Sequence, residues 1–133
     1  MQGPDIRDVG LLHALLDLEG HSQLMGNPKV GASWEGFAIE QVLTLLRTRE
    51  AYFWRTYQGA ELDLLVMYKG RRYGFEMKMG DAPTASKSMR IALDDLGLAR
   101  LYVVYPGKQS YPIDDNIRVL SIQDLPTQLA KLG

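Results

Sequence analysis

GAELDLLVMYKGRRYGFEMK, residues 59–78, decides how this chain is read. Two β-prone runs, residues 61–68 and 72–78, flank Lys69-Gly70-Arg71, where Gly70 supplies the positive φ that a tight hairpin requires. Side chains alternate along a strand, so Asp63, Leu65 and Met67 share one face of the first run. Leu62, Leu64 and Val66 form a wholly apolar face opposite, which should lie on the core. In the second run Glu76 and Lys78 share a face, with Phe75 and Met77 turned the other way. The hairpin thus carries an Asp, a Glu and a Lys to one side. Hard carboxylate oxygens of this kind suit Mg²⁺ or Mn²⁺, with a phosphate and waters completing the shell during phosphodiester hydrolysis. A lysine beside them can orient the attacking water or offset charge that builds in the transition state. The spacing also suits a solvated strand face crossed by an ordinary ion pair. If the carboxylates do converge in a partly desolvated site, at least one should have a raised pKa without a cation.

The elements around this hairpin follow from periodicity. The longest helix runs from residue 32 or 33 to about 49, with Trp34, Ala38, Val42 and Leu45 in one stripe and Ile39, Leu43 and Leu46 beside it. Glu35 lines up with Ile39, Val42 and Leu46, which puts an acid at the N-terminal edge of the buried face. That position reaches toward a site between helix and sheet, and it also suits the helix's positive end. Glu40 lines up with Thr44 and Arg47 and is the alternative helical acid. AYFWRTY, residues 51–57, reads as the first strand, with Phe53 and Trp54 as packing residues. A helix over 85–96 closed by Gly97 buries Ile91, Leu93 and Leu96. RLYVVY, residues 100–105, is an apolar strand suited to a central, parallel position. Residues 107–116 read as loop, 117–122 as a strand and 124–132 as a short helix. Ahead of all this, residues 1–30 form a helical lead-in with a helix over 9–18, and the start looks like a boundary inside a longer protein. His13 and His21 are too isolated for metal ligands.

Composition sets the outer bounds. A chain of 133 residues with 46% hydrophobic and 23% charged side chains fits one globular domain over 31–133. The absence of cysteine excludes disulfides and thiolate metal sites. No apolar run approaches a membrane span and no signal peptide is evident, so a cytoplasmic protein with no membrane partner is expected. The net charge of −1 is unevenly placed. Residues 1–43 carry 2 basic and 6 acidic side chains, residues 44–90 carry 9 and 5, and residues 91–133 carry 4 and 5. Arg55, Arg71, Arg72, Lys87 and Arg90 in the basic middle block are candidates for nucleic-acid phosphates, although scattered solubilising charge reads the same way.

Asp63, Glu76 and Lys78 resemble the D…ExK core of the PD-(D/E)XK nuclease superfamily in order and spacing, and the αβββαβ element order matches as well. The chain is more specifically similar to a C-terminal domain that follows an ATPase module in many prokaryotic AAA+ superfamily proteins. DVGLLHALL, GASWEGFAIEQVL, YFWRTYQGAELDLLV and YGFEMKMGDAP carry that likeness over roughly residues 5–121. The resemblance implies an α/β, restriction-endonuclease-like core with a mixed sheet flanked by helices. It implies Glu35, Asp63, Glu76 and Lys78 as catalytic residues, with Asp63, Glu76 and the Met77 carbonyl as metal ligands. It also implies Mg²⁺ or Mn²⁺ as cofactor, DNA as partner with RNA open, and an ATP-binding AAA+ module in the same native chain. No GxxxxGK[ST] is present, so ATP would bind only in that module. Two function classes follow: a metal-dependent nuclease, and a catalytically inactive nuclease-fold module that binds DNA or protein.

Overall fold

The computed structural model describes residues 34–80 and 83–132. The expected helix over 9–18 and both histidines lie outside the described residues. The helix α1 (Trp34–Leu46) leads into three strands, β1 (Ala51–Arg55), β2 (Glu61–Tyr68) and β3 (Arg71–Met77). Then follow α2 (Lys87–Leu96), β4 (Arg100–Tyr105), a two-residue β5 (Tyr111–Pro112), β6 (Ile117–Ser121), a 3₁₀ turn (Ile122–Asp124) and α3 (Leu125–Leu129). The strands form one six-stranded mixed sheet in the order β1-β2-β3-β4-β6-β5. β1, β2 and β3 are an antiparallel meander, while β3, β4 and β6 run parallel.

The β2–β3 connection is tighter than a three-residue joint. Tyr68 pairs directly with Arg71, leaving Lys69 and Gly70 as a two-residue turn with φ of 51° and 78°. Two consecutive positive φ values match the right-handed twist of the flanking strands, and only Gly70 adopts them freely. At the other boundaries the strands and helices are shorter than periodicity suggests. α1 stops at Leu46 because Arg47 turns left-handed, with φ of 54°, while its N–H still bonds the Leu43 carbonyl. α2 starts at Lys87, where the Ser86 hydroxyl accepts the Met89 N–H, and ends at Gly97 with φ of 60°.

Helices cover both faces of the sheet. On one face α1 and α3 bury Ala38, Ile39, Val42, Leu43, Leu46, Leu125 and Leu129 against Leu64, Val66, Tyr73, Phe75, Met77, Tyr102 and Val104. On the other, α2 buries Met89, Ala92 and Leu96 against Leu62, Leu65, Met67, Leu101, Val103 and Val119. β4 is buried on both faces after its first residue, which is what its unbroken apolar run foreshadows. Three readings of the sequence are corrected. Leu45 is exposed, outside the buried stripe of α1. Met89, Ala92 and Leu96 are the buried line of α2, and Ile91 and Leu93 are half-buried at its flanks. The segment 107–116 contains the short edge strand β5.

A fourth correction concerns β2 itself. Tyr52 pairs with Leu65 but Trp54 pairs with Leu62, so Asp63 and Leu64 together lie opposite Phe53 alone. Such a bulge breaks strict alternation. Leu62 therefore packs with Leu65 and Met67 under α2, not with Leu64 and Val66.

Gly74 sits where the α2 side of β3 meets the chain entering β4. A Cβ there would lie 2.7 Å from Leu98 Cδ1 and 3.1 Å from Leu62 Cδ2. Gly74→Ala should destabilise the domain by about 1–2 kcal/mol through overpacking, read as a lower denaturation midpoint with an unchanged slope.

Candidate functional site

Beyond the Leu64–Phe75 pair the β2–β3 ladder ends, and two side chains continue it. The Glu76 carboxylate accepts the Asp63 N–H at 3.0 Å, and the Asp63 carboxylate accepts the Met77 N–H at 2.8 Å. Each acid thus caps a backbone donor on the other's strand, at the point where the bulge has shifted the register. Asp63 Oδ1 and Glu76 Oε2 are the oxygens outside those two bonds. Lys78 Nζ lies 3.9 Å from Glu76 Oε2, and the Lys78 backbone N–H is held by the Val104 carbonyl of β4 at 2.8 Å. Asp63, Glu76 and Lys78 are therefore brought together at the end of the hairpin. The lysine is half-exposed, whereas Glu76 is only 7% exposed.

Burial sets the electrostatics. Desolvation is the largest cause holding the Glu76 carboxyl above its ordinary range, followed by the Asp63 charge, and together they push it up to about 8 despite the Asp63 N–H and Lys78. The Asp63 pKa is raised as well, first by burial and then by the charges of Glu61 and Glu35, against the Met77 N–H and Lys78. Burial and mutual repulsion thus oppose having both carboxyls ionised together. The expectation that at least one carboxyl would be raised is met at both.

Glu35 stands half-buried in the first turn of α1, near enough for its charge to act on Asp63. Glu40 is also half-buried, and its charge is not among the main influences on Asp63 or Glu76. Among the described residues no three His, Asp or Glu side chains form a ready metal cluster. The donors that fit a hard divalent cation are thus the two carboxylates, with the Met77 carbonyl one residue beyond Glu76 in the chain. Glu61 is a neighbour that periodicity should have flagged, since it lies two residues before Asp63 in the same strand. Its charge raises both acids, and it pairs with Arg55 across β1 at 3.1 Å.

The basic candidates scatter. Arg55 is held by Glu61, and Arg90 by Asp114 at 2.8 Å. The Arg72 guanidinium donates to the Leu96 carbonyl at 2.8 Å and closes the end of α2. Lys87 borders a cleft of about 510 Å³ between the β1–β2 turn and α2, lined also by Thr56, Gln58, Ser88 and Asp95. Arg71 lies at the start of β3, the opposite end of that strand from Glu76.

The model for a domain of unknown function, DUF4143, matches residues 30–125. Uncharacterized protein Rv2008c of Mycobacterium tuberculosis and uncharacterized protein Mb2031c of Mycobacterium bovis are each 54% identical over 112 residues, 84% of this chain and 25% of theirs. The chain spans about a quarter of the length of these curated relatives. Among solved structures, protein VC1899 from Vibrio cholerae aligns with a TM-score of 0.42 and 16% identity over 71% of this chain and 31% of its own. No helix among the described residues is long and apolar enough to cross a membrane.

The raised Glu76 carboxyl makes stability depend on pH. Between about 4.5, where it ionises in the unfolded chain, and about 8, the folded state keeps a proton that the unfolded state has released. Stability contributed by the neutral acid is therefore present at the lower end of this window and lost as pH rises through it. Thermal unfolding without divalent metal should show a loss of about 2–4 kcal/mol from pH 5 to pH 8. Glu76→Gln, whose amide oxygen still accepts the Asp63 N–H, should flatten that dependence.

Proposed function

This chain belongs to the DUF4143 family, and from that premise and the Asp63–Glu76 pair we propose that it is a metal-dependent nuclease domain of the PD-(D/E)XK type. The observation that carries the reading is the convergence of a buried carboxylate, Glu76, a half-buried one, Asp63, and Lys78 at the end of β2 and β3. Asp63 and Glu76, with the Met77 carbonyl, would hold Mg²⁺ or Mn²⁺, which when bound supplies a Lewis acid and a more acidic water. The chain's own groups do the rest. The Met77 and Asp63 N–H groups fix the two carboxylates, so their free oxygens are oriented before any ligand arrives. Lys78, half-exposed and 3.9 Å from Glu76, orients a nucleophilic water or offsets charge at the scissile phosphate. Glu35, at the start of α1, would hold a water or a second ion. DNA is the proposed substrate, entering along the cleft beside Lys87, with RNA as the variant substrate. In the native protein an AAA+ ATPase module precedes the domain and supplies the ATP-dependent step.

One observation favours a second reading. With no third carboxylate converging among the described residues, the domain would serve as an inactive nuclease-fold module that recognises DNA or protein for its ATPase.

Calorimetric titration with Mn²⁺ at pH 6 and pH 8 separates the two. On the catalytic reading the wild type binds Mn²⁺ more tightly at pH 8, because the raised Glu76 carboxyl must lose its proton first. Asp63→Asn keeps an oxygen for the Met77 N–H, so the fold survives while Mn²⁺ affinity falls by about tenfold or more and Mg²⁺-dependent DNA cleavage by the full-length protein disappears. No Mn²⁺ uptake at millimolar concentration, even with DNA present, would leave the binding module as the account of this domain.

A further inference from the structure

At the opposite end of the sheet from the two acids lies a pocket of about 330 Å³, bordered by Arg71, Tyr73, Arg100, Tyr102, Gln128 and Lys131. Arg71 and Arg100 begin the parallel strands β3 and β4, and Lys131 follows α3. Tyr73 is the register partner of Arg100, and Tyr73 and Tyr102 both pack in the cluster under α1 and α3. Alternation along each strand puts Arg71 and Arg100 on that same face. Arg71 and Glu76 are five residues apart on β3, which separates this pocket from the carboxylate pair by about 17 Å.

Two independent features mark it as a ligand site. The first is charge. Arg55, Lys78 and Arg90 each have an acidic partner. Arg71, Arg100 and Lys131 make no ion pair with a described residue, and no acid borders the pocket they share. Three cations around one small concavity repel one another unless an anion lies between them. The second is an orphaned donor. Tyr102 is wholly buried, and its hydroxyl lacks a hydrogen-bond partner among the described residues. Buried polar atoms without partners are uncommon, and one that borders a basic pocket points to a missing acceptor.

The geometry points to a binding site for a phosphomonoester of nucleotide size. Two planar guanidinium forks and an ammonium match a dianion with three acceptor oxygens better than a single carboxylate. The Tyr102 hydroxyl donates to one of those oxygens, and the Gln128 amide to another. The volume lies at the lower end of small-molecule pockets, and the Tyr73 ring and Leu132 offer apolar wall to the rest of the ligand. The phosphate comes either from a free nucleotide or from the 5′ end of a nucleic-acid strand.

Titration of the 133-residue chain with thymidine 5′-monophosphate, and separately with a 5′-phosphorylated tetranucleotide, tests this. Uptake of the mononucleotide names a free nucleotide as the source, and a preference for the oligonucleotide names a strand end; both uphold the site. Arg71→Gln with Arg100→Gln should weaken uptake at least about tenfold. Tyr102→Phe should weaken it several-fold while leaving the ligand-free protein as thermostable as the wild type or more so, because an orphaned hydroxyl is removed. Asp63→Asn should bind both probes with wild-type affinity, which keeps this site distinct from the proposed nuclease centre. Absence of uptake of either probe, unchanged affinity in the double arginine variant, or loss of affinity in a folded Asp63→Asn protein each overturns the proposal.

Discussion

Two carboxyl groups at the mouth of a hairpin, each accepting a backbone N–H from the other's strand, govern what the rest of the domain can do. An acid buried as deeply as Glu76 is costly to ionise, and a second carboxyl nearby makes it costlier still. The reciprocal bonds recover part of that cost because each carboxylate satisfies a backbone donor beyond the last β2–β3 pair. The same bonds also pin both side chains. The pair is thus the place where burial works most directly against ionisation.

The surroundings make this arrangement tolerable. β4, buried on both faces between the two apolar clusters, forms the spine on which β3 and β6 pair in parallel. β3 therefore presents Glu76 and Met77 from a rigid position, with the Lys78 N–H still tied to β4. Phe75 stacks on Tyr102 with ring centroids 5.5 Å apart, so the residue before Glu76 is locked into the core. A site built on strand ends inherits this rigidity, which a loop would lack.

Charge is sorted along the strands in a way that net charge conceals. Acids gather where β3 ends, and Glu61 and Glu35 add to them. Unpaired cations gather where β3 and β4 begin. Between these ends, Arg55, Arg72 and Arg90 act within the fold, two through acids and one by closing the last turn of α2. A basic block in the sequence is therefore not a basic surface. Only its placement decides which charges remain for a ligand.

Much of the architecture was legible in the residues alone, because hydrophobic period and breakers act locally. The 2-residue alternation and Gly70 specify the hairpin, the unbroken RLYVVY specifies a strand covered on both faces, and Gly97 specifies where α2 stops. The coming together of Asp63, Glu76 and Lys78 was legible too, since hairpin register ties 63 to 76. What the sequence could not show was the bulge opposite Phe53, because a one-residue slip in pairing depends on both strands at once. That slip carries Leu62 to the α2 face. Nor could it show which arginines would find partners, or that Tyr102 would be buried beside three unpaired cations, for those contacts join residues from β3 to the segment after α3. Local pattern determined the elements and the identity of the acids. Burial and long-range pairing, which exist only once the sheet is assembled, decided their protonation and their neighbours.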